Sequence, residues 1–184
     1  TGFYQNMVEQ GLTPVTQVLK QQIIPANARV ASRLHLEPDT PVIEIERLRF
    51  VDDEPLQLVT SFLPYELCPS LAHEDLTHQS LYAYLEKHCG LMIARGIRSI
   101  EAVPANEYES RLLRVKRGAP LIMLDSVSFI ADGTPVEYYH AVHRGDRTRF
   151  EVQLLRVRGS GEGSDSSANQ FDDLPPSGGF VLRP

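Results

Sequence analysis

The chain has 184 residues, 42% of them hydrophobic and 23% charged, with a formal net charge of −6; this suits one soluble domain with a true core. The acidic surplus argues against this segment gripping nucleic acid itself, because phosphate contacts need clustered Lys and Arg. No apolar run reaches the roughly 18 residues of a membrane span, and no basic stretch followed by an apolar one marks a signal peptide, so no membrane partner and a cytoplasmic placement are expected.

In chain order, a helix is predicted over Phe3–Gln10, ended by Gly11, and a strand over Val15–Ile24. A short helix opens at Asn27, a good N-cap. A hairpin follows, Val42–Phe50 with Leu56–Leu63, turning at Asp52-Asp53. The succession then recurs. A helix spans Ser80–Cys89 and stops at Gly90, a strand spans Met92–Val103, and a short helix opens at Asn106, where Glu109 completes a capping box. A second hairpin, Leu121–Ile130 with Val136–His143, turns at Asp132-Gly133. A last strand is predicted over Phe150–Val157. Landmarks of the two halves coincide at a shift of 79 positions: Pro25-Ala26-Asn27 on Pro104-Ala105-Asn106, Pro41 on Pro120, Phe50 on Phe129. A repeat seen twice suggests a duplicated supersecondary unit, and hairpins covered by helices indicate an antiparallel α+β sheet.

Residues 1–158 are therefore expected to form the domain. Residues 159–184, rich in Gly, Ser, Asp and Pro, are expected to be a disordered tail. The chain starts without Met, which reads as a piece of a longer polypeptide. Cys68 and Cys89 show neither metal-ligand nor redox spacing, so reduced thiols are expected, with a single disulfide as the alternative.

Candidate binding residues stand out in the stretch Glu44-Ile45-Glu46-Arg47-Leu48-Arg49-Phe50. With a side-chain period of two, Arg47 and Arg49 continue the face begun by Ile43 and Ile45. Two guanidinium forks roughly 6.5–7 Å apart along a strand can converge on one anion. The alternative is that each pairs with a local carboxylate. The matching positions of the second half are Ser126 and Ser128, so the fold unit as such does not require the arginines. Ser80 sits at a helix start, where free N–H groups favour an anion, and its hydroxyl can either cap the helix or bind a ligand oxygen. Tyr82 can pack or present its hydroxyl. The repeat matches them to Thr1 and Phe3, so the backbone amides near Phe3 and Tyr4 are candidates as well. Glu137, Tyr139 and His143 share a strand face, and Glu137 can accept hydrogen bonds from a ligand hydroxyl or amine. Asp146 reads as a turn cap beside Gly145. No nucleophile elbow, metalloprotease helix or phosphate-cradling loop is present, so neither catalysis, metal nor cofactor is expected.

Taken in series, TGFYQNMVEQGLTP, ANARVASRLHLEPDTPVIEIERLRFVDDEPLQLVTSFLP, SLYAYLE, LLRVKRGAPLI and DGTPVEYYHAVHRGDRTRF resemble the UTRA effector-binding domain of HutC-type GntR transcription regulators. The resemblance implies a chorismate-lyase-like fold, a homodimer, a small and often phosphorylated effector, and operator DNA held by an N-terminal winged helix-turn-helix absent from this chain. It implies that Arg47, Arg49, Ser80, Tyr82 and the amides near Phe3 and Tyr4 hold the anionic group, with Glu137 at the ligand's polar body; His143, on the same strand face, is a further candidate ligand-binding residue. Val59 stands where many relatives have an acidic residue and His143 where Tyr is common. These departures argue against an amino-sugar phosphate more than against an anion. A chorismate-lyase-like enzyme and a dimerisation module without ligand are the alternatives.

Overall fold

The computed structural model describes residues 14–151 and 179–182. The predicted helix over residues 3–10, the strand residues beyond 151 and the tail residues 159–178 lie outside them. β1 (Pro14–Pro25), α1 (Ala28–Leu34), β2 (Pro41–Val51) and β3 (Glu54–Pro64) form the first half. Two short 3-10 turns (Tyr65–Leu67, Pro69–His73) and α2 (Leu81–Cys89) lead into β4 (Arg95–Pro104), α3 (Glu107–Leu113), β5 (Pro120–Phe129) and β6 (Pro135–Arg144). The six strands make one antiparallel sheet in the order β1-β2-β3-β6-β5-β4, with β3 and β6 paired at its centre.

Local chemistry sets the elements. Asn27 Oδ1 accepts from the Val30 amide at 3.0 Å, and Asn106 with Glu109 closes a full capping box. Both short helices end on left-handed residues, His35 and Arg114, each with φ 54°. The β2–β3 turn places Asp52 and Asp53 at φ 50° and 63°, the mirror-image turn that suits strand twist. In the β5–β6 turn Gly133 takes φ 92°.

One face of the sheet is covered by α1 and α3. Val30, Ala31 and Leu34 pack with Val42, Phe129 and Tyr138; Leu113 and Ala105 pack with Leu48, Leu58, Leu121 and Val142. On the other face, Ile43, Ile45, Leu63 and Val136 lie under the 3-10 turns and α2 through Leu71, Leu81, Tyr84 and Leu85. This second cover reaches only part of its face. The remainder is polar.

Three expectations need correction. Cys68 and Cys89 form a disulfide, their Cα atoms 5.6 Å apart, because the second 3-10 turn and the end of α2 share one core cluster. The final strand starts earlier, as β7 (Thr148–Glu151). It pairs antiparallel with β8 (Gly179–Leu182), so the expected disordered tail contains a strand where its composition turns apolar at Phe180-Val181-Leu182. The second half's first strand begins at Arg95 rather than Met92.

Candidate functional site

Alternation along β2 puts Arg47 and Arg49 on the face of Ile43 and Ile45, past the edge of the cover. Arg47 is 3% exposed. Its Nη2 donates to Ser61 Oγ at 3.2 Å, while its buried Nε has no hydrogen-bond partner. Among the described residues no carboxylate pairs directly with it. Burial, and then the charge of Arg49, pull the Arg47 guanidinium down to about 10, so it stays cationic at neutral pH. Burial lowers Arg49 as well. A buried cation without a direct counter-charge is costly to keep.

The next strands carry polar side chains on the same face of the sheet. Register pairs Ser61 of β3 with Tyr139 of β6, and Tyr139 with Ser126 of β5; Ser128 faces Glu137. Ser61 Oγ donates to Glu137 Oε1 at 2.7 Å. Tyr82, on the first turn of α2, donates to Glu137 Oε2 at 2.6 Å. Its single proton is then committed, so Ser128 Oγ, 2.9 Å away, donates to it. Burial, then the Glu137 charge, push the Tyr82 hydroxyl far above its ordinary range. Glu137 is 1% exposed and thus ties together β3, β6 and α2.

His143 is 2% exposed. Its Nε2 lies 3.1 Å from Gln57 Nε2, which can only donate, so the ring accepts there. Burial first, then Arg49 and Arg98, drop His143 to about 3, leaving it neutral at physiological pH. The same Gln57 amide donates to Tyr139 OH, and its buried Oε1 has no partner. The rings of His143 and Phe150 meet nearly at right angles, their centroids 5.4 Å apart.

Of the residues named from the sequence, Arg47, Arg49, Tyr82, Glu137 and His143 come together on this face. Ser80 does not bring its hydroxyl: it is the exposed N-cap of α2, and its Oγ accepts from the Ala83 amide at 3.4 Å. Helix geometry commits that oxygen and leaves Tyr82 to reach inward. Phe3 and Tyr4 lie outside the described residues. Sequence reading missed Gln57, Ser61 and Arg98. Gln57 and Ser61 interrupt an apolar strand at the spacing of its inward face, a signal that was there to find. Arg98 of the edge strand β4 had none; only register sets it opposite Ser126, to whose Oγ its Nε donates at 2.6 Å.

The opposite face has a second buried polar centre. Asp125 accepts from Arg29 Nη2 and pairs with His140 Nδ1, each at 2.6 Å, with Tyr138 OH at 3.2 Å and Arg33 at 3.7 Å. Burial opposes ionisation, but the hydrogen bonds from His140 and Arg29 hold Asp125 below its ordinary range. Among the described residues no group of three or more His, Cys, Asp or Glu is arranged to hold a metal.

Residues 9–149 match the UTRA domain family. The transcriptional repressor NagR of Bacillus subtilis is 28% identical over 157 residues, covering 85% of this chain and 64% of NagR. The regulator Rv0792c of Mycobacterium tuberculosis is 34% identical, over 83% of this chain and 57% of its own length. The mannosyl-D-glycerate transport/metabolism system repressor MngR of Escherichia coli is 25% identical, over 85% of this chain and 65% of its own length. The chain thus spans about six-tenths of the length of these curated relatives. Among solved structures, the effector domain of PhnF from Mycobacterium smegmatis superposes with a TM-score of 0.75 at 25% identity, over 79% of this chain and 90% of that one. The ligand-binding domain of a GntR-family regulator from Bordetella bronchiseptica gives 0.69 at 26% identity, over 73% and 90%.

Proposed function

The chain belongs to the UTRA family and is an effector-binding domain of the GntR-regulator kind; from that premise we propose that its effector is a small organic anion seated at Arg47 and Arg49. The observation that carries this reading is Arg47 itself. It is buried, charged, beside a second arginine, reached by Glu137 only through Ser61, and left with an unpartnered Nε. An anion beside the two arginines supplies the missing counter-charge. Tyr82 and Glu137 hold the polar body of the ligand, while Ser80 fixes the helix start that aims Tyr82.

In the whole protein, an N-terminal winged helix-turn-helix outside this chain binds operator DNA, two copies form a homodimer, and the protein works in the cytoplasm. Effector binding shifts the dimer geometry, with a coupling of about 1–3 kcal/mol. The related proteins are transcription regulators, which sets the lyase reading aside. Isothermal titration of the wild type and of Arg47→Ala/Arg49→Ala against sugar phosphates and small carboxylates tests the site. Binding by the wild type and its loss in the double variant is expected. Equal affinity in both would remove the site, and no binding by either, with dimers intact, would favour a dimerisation module.

A further inference from the structure

We infer that the effector is a dianion with its two anionic groups at separate ends, one held by Arg47 and Arg49 and the other by Arg98 on the far bank of this polar face. This rests on the anion reading above and names the ligand class of the same site.

The geometry is a row across the sheet. Register aligns Arg98 of β4 with Ser126 of β5, Tyr139 of β6 and Ser61 of β3, and Ser61 accepts from Arg47. The backbones of β2 and β4 stand four strand spacings apart, roughly 19 Å. Long side chains from each bank lean inward and shorten that gap. Arg98 leans: its Nε donates to Ser126 at 2.6 Å, and its guanidinium carbon lies 5.7 Å from the Tyr139 ring centre. The bond to Ser126 uses Nε and leaves the two terminal nitrogens of the fork for a ligand. Among the described residues no carboxylate pairs with Arg98.

Between the two banks lie neutral groups: Tyr139, Gln57 and His143. Both banks act on that middle, since the positive charges of Arg49 and Arg98 each help to keep His143 unprotonated. The unpartnered Gln57 Oε1 offers an acceptor there for a hydroxyl between the two charged ends. The one carboxylate of this cluster, Glu137, already takes Ser61 and Tyr82, so it does not neutralise Arg98. Arg98 and the Arg47–Arg49 pair stem from strands four spacings apart, so each bank suits an anionic group of its own; a short dicarboxylate, or a hydroxy acid phosphorylated at its other end, carries both.

The test is calorimetric titration of the full chain with succinate, glutarate, their monomethyl esters and inorganic phosphate, in wild type, Arg98→Gln, Arg98→Lys and Arg47→Ala. The best dicarboxylate should bind at least tenfold tighter than its monoester, the scale of one charge-assisted hydrogen-bonded pair. Arg98→Gln should shrink that preference to about twofold and leave phosphate affinity within about twofold. Arg98→Lys should recover part of the preference, and Arg47→Ala should weaken every anion. Arg98 is exposed on an edge strand, so an unchanged melting temperature verifies the fold of its variants. Monoesters binding as well as dicarboxylates, or phosphate suffering as much as dicarboxylate in Arg98→Gln, would overturn the two-ended ligand while leaving the anion site intact. A wild type that binds a sugar phosphate but no dicarboxylate more tightly than its monoester would overturn the two-ended ligand alone; one that binds neither these anions nor sugar phosphates would remove the parent reading as well.

Discussion

The two faces of the sheet each bury a charge, and they treat it differently. Asp125, 5% exposed, is enclosed by Arg29, Arg33, His140 and Tyr138 from α1 and β6, so its charge is answered within the chain. Arg47, 3% exposed, meets a serine, a second arginine and a distant carboxylate. The closed centre stabilises the fold. The open centre costs stability, and that cost is recovered when an anion binds.

Four perturbations sharpen or break this contrast. The largest is acid. The folded value of His143, about 3, lies below its ordinary 6.5, so the unfolded chain binds this proton first. The stability it contributes is complete above about pH 6.5 and drains as pH falls toward 3, at about 1.4 kcal/mol per pH unit. By pH 4 the wild type should lose about 3 kcal/mol more than His143→Gln in urea titrations. Parallel curves for the two proteins would mean that the site is wet and the ring protonates freely. Next, Arg47→Met should weaken anion binding at least 100-fold, about 2.7 kcal/mol, without lowering the melting temperature of the ligand-free protein. A strongly lowered melting temperature would make Arg47 a structural residue like Asp125.

The closed face should show the reverse pattern. Asp125→Asn should cost about 2 kcal/mol in thermal unfolding and leave anion affinity unchanged, because the negative charge is lost and one of its two acceptor oxygens becomes an NH2 group facing a donor. Since Asp125 titrates below its ordinary value when folded, its contribution should be present above about pH 4 and fade only below it, as pH falls through the folded value. The smallest effect is Asn106→Ala, which opens the capping box of α3 and should lower stability by about 1 kcal/mol with no change in binding.

Much of the fold was legible because it is written in neighbouring residues. Asn27, Asn106 and Glu109 announce helix starts, and Asp52-Asp53 and Asp132-Gly133 announce turns. Alternation along β2 gives Arg47 and Arg49 one face. Ser80 shows the limit: its position allowed cap or ligand, and the Ala83 amide decides for the cap. The disulfide was hidden because 21 positions separate the cysteines, and only the packing of α2 on the 3-10 turns brings them together. The strand pair β7–β8 was hidden for the same reason, since its partners are distant in sequence.

By itself the sequence determined where elements begin and end and which side chains share a strand face, because caps, turns and alternation act over a few residues. Only the tertiary structure decided which strands lie side by side. Register across the sheet placed Arg98 opposite Ser126, lined Gln57 and Ser61 beside the arginines, and gave Asp125 a full set of partners while leaving Arg47 without a paired carboxylate among the described residues. Those pairings join residues far apart in the chain, and no local propensity encodes them.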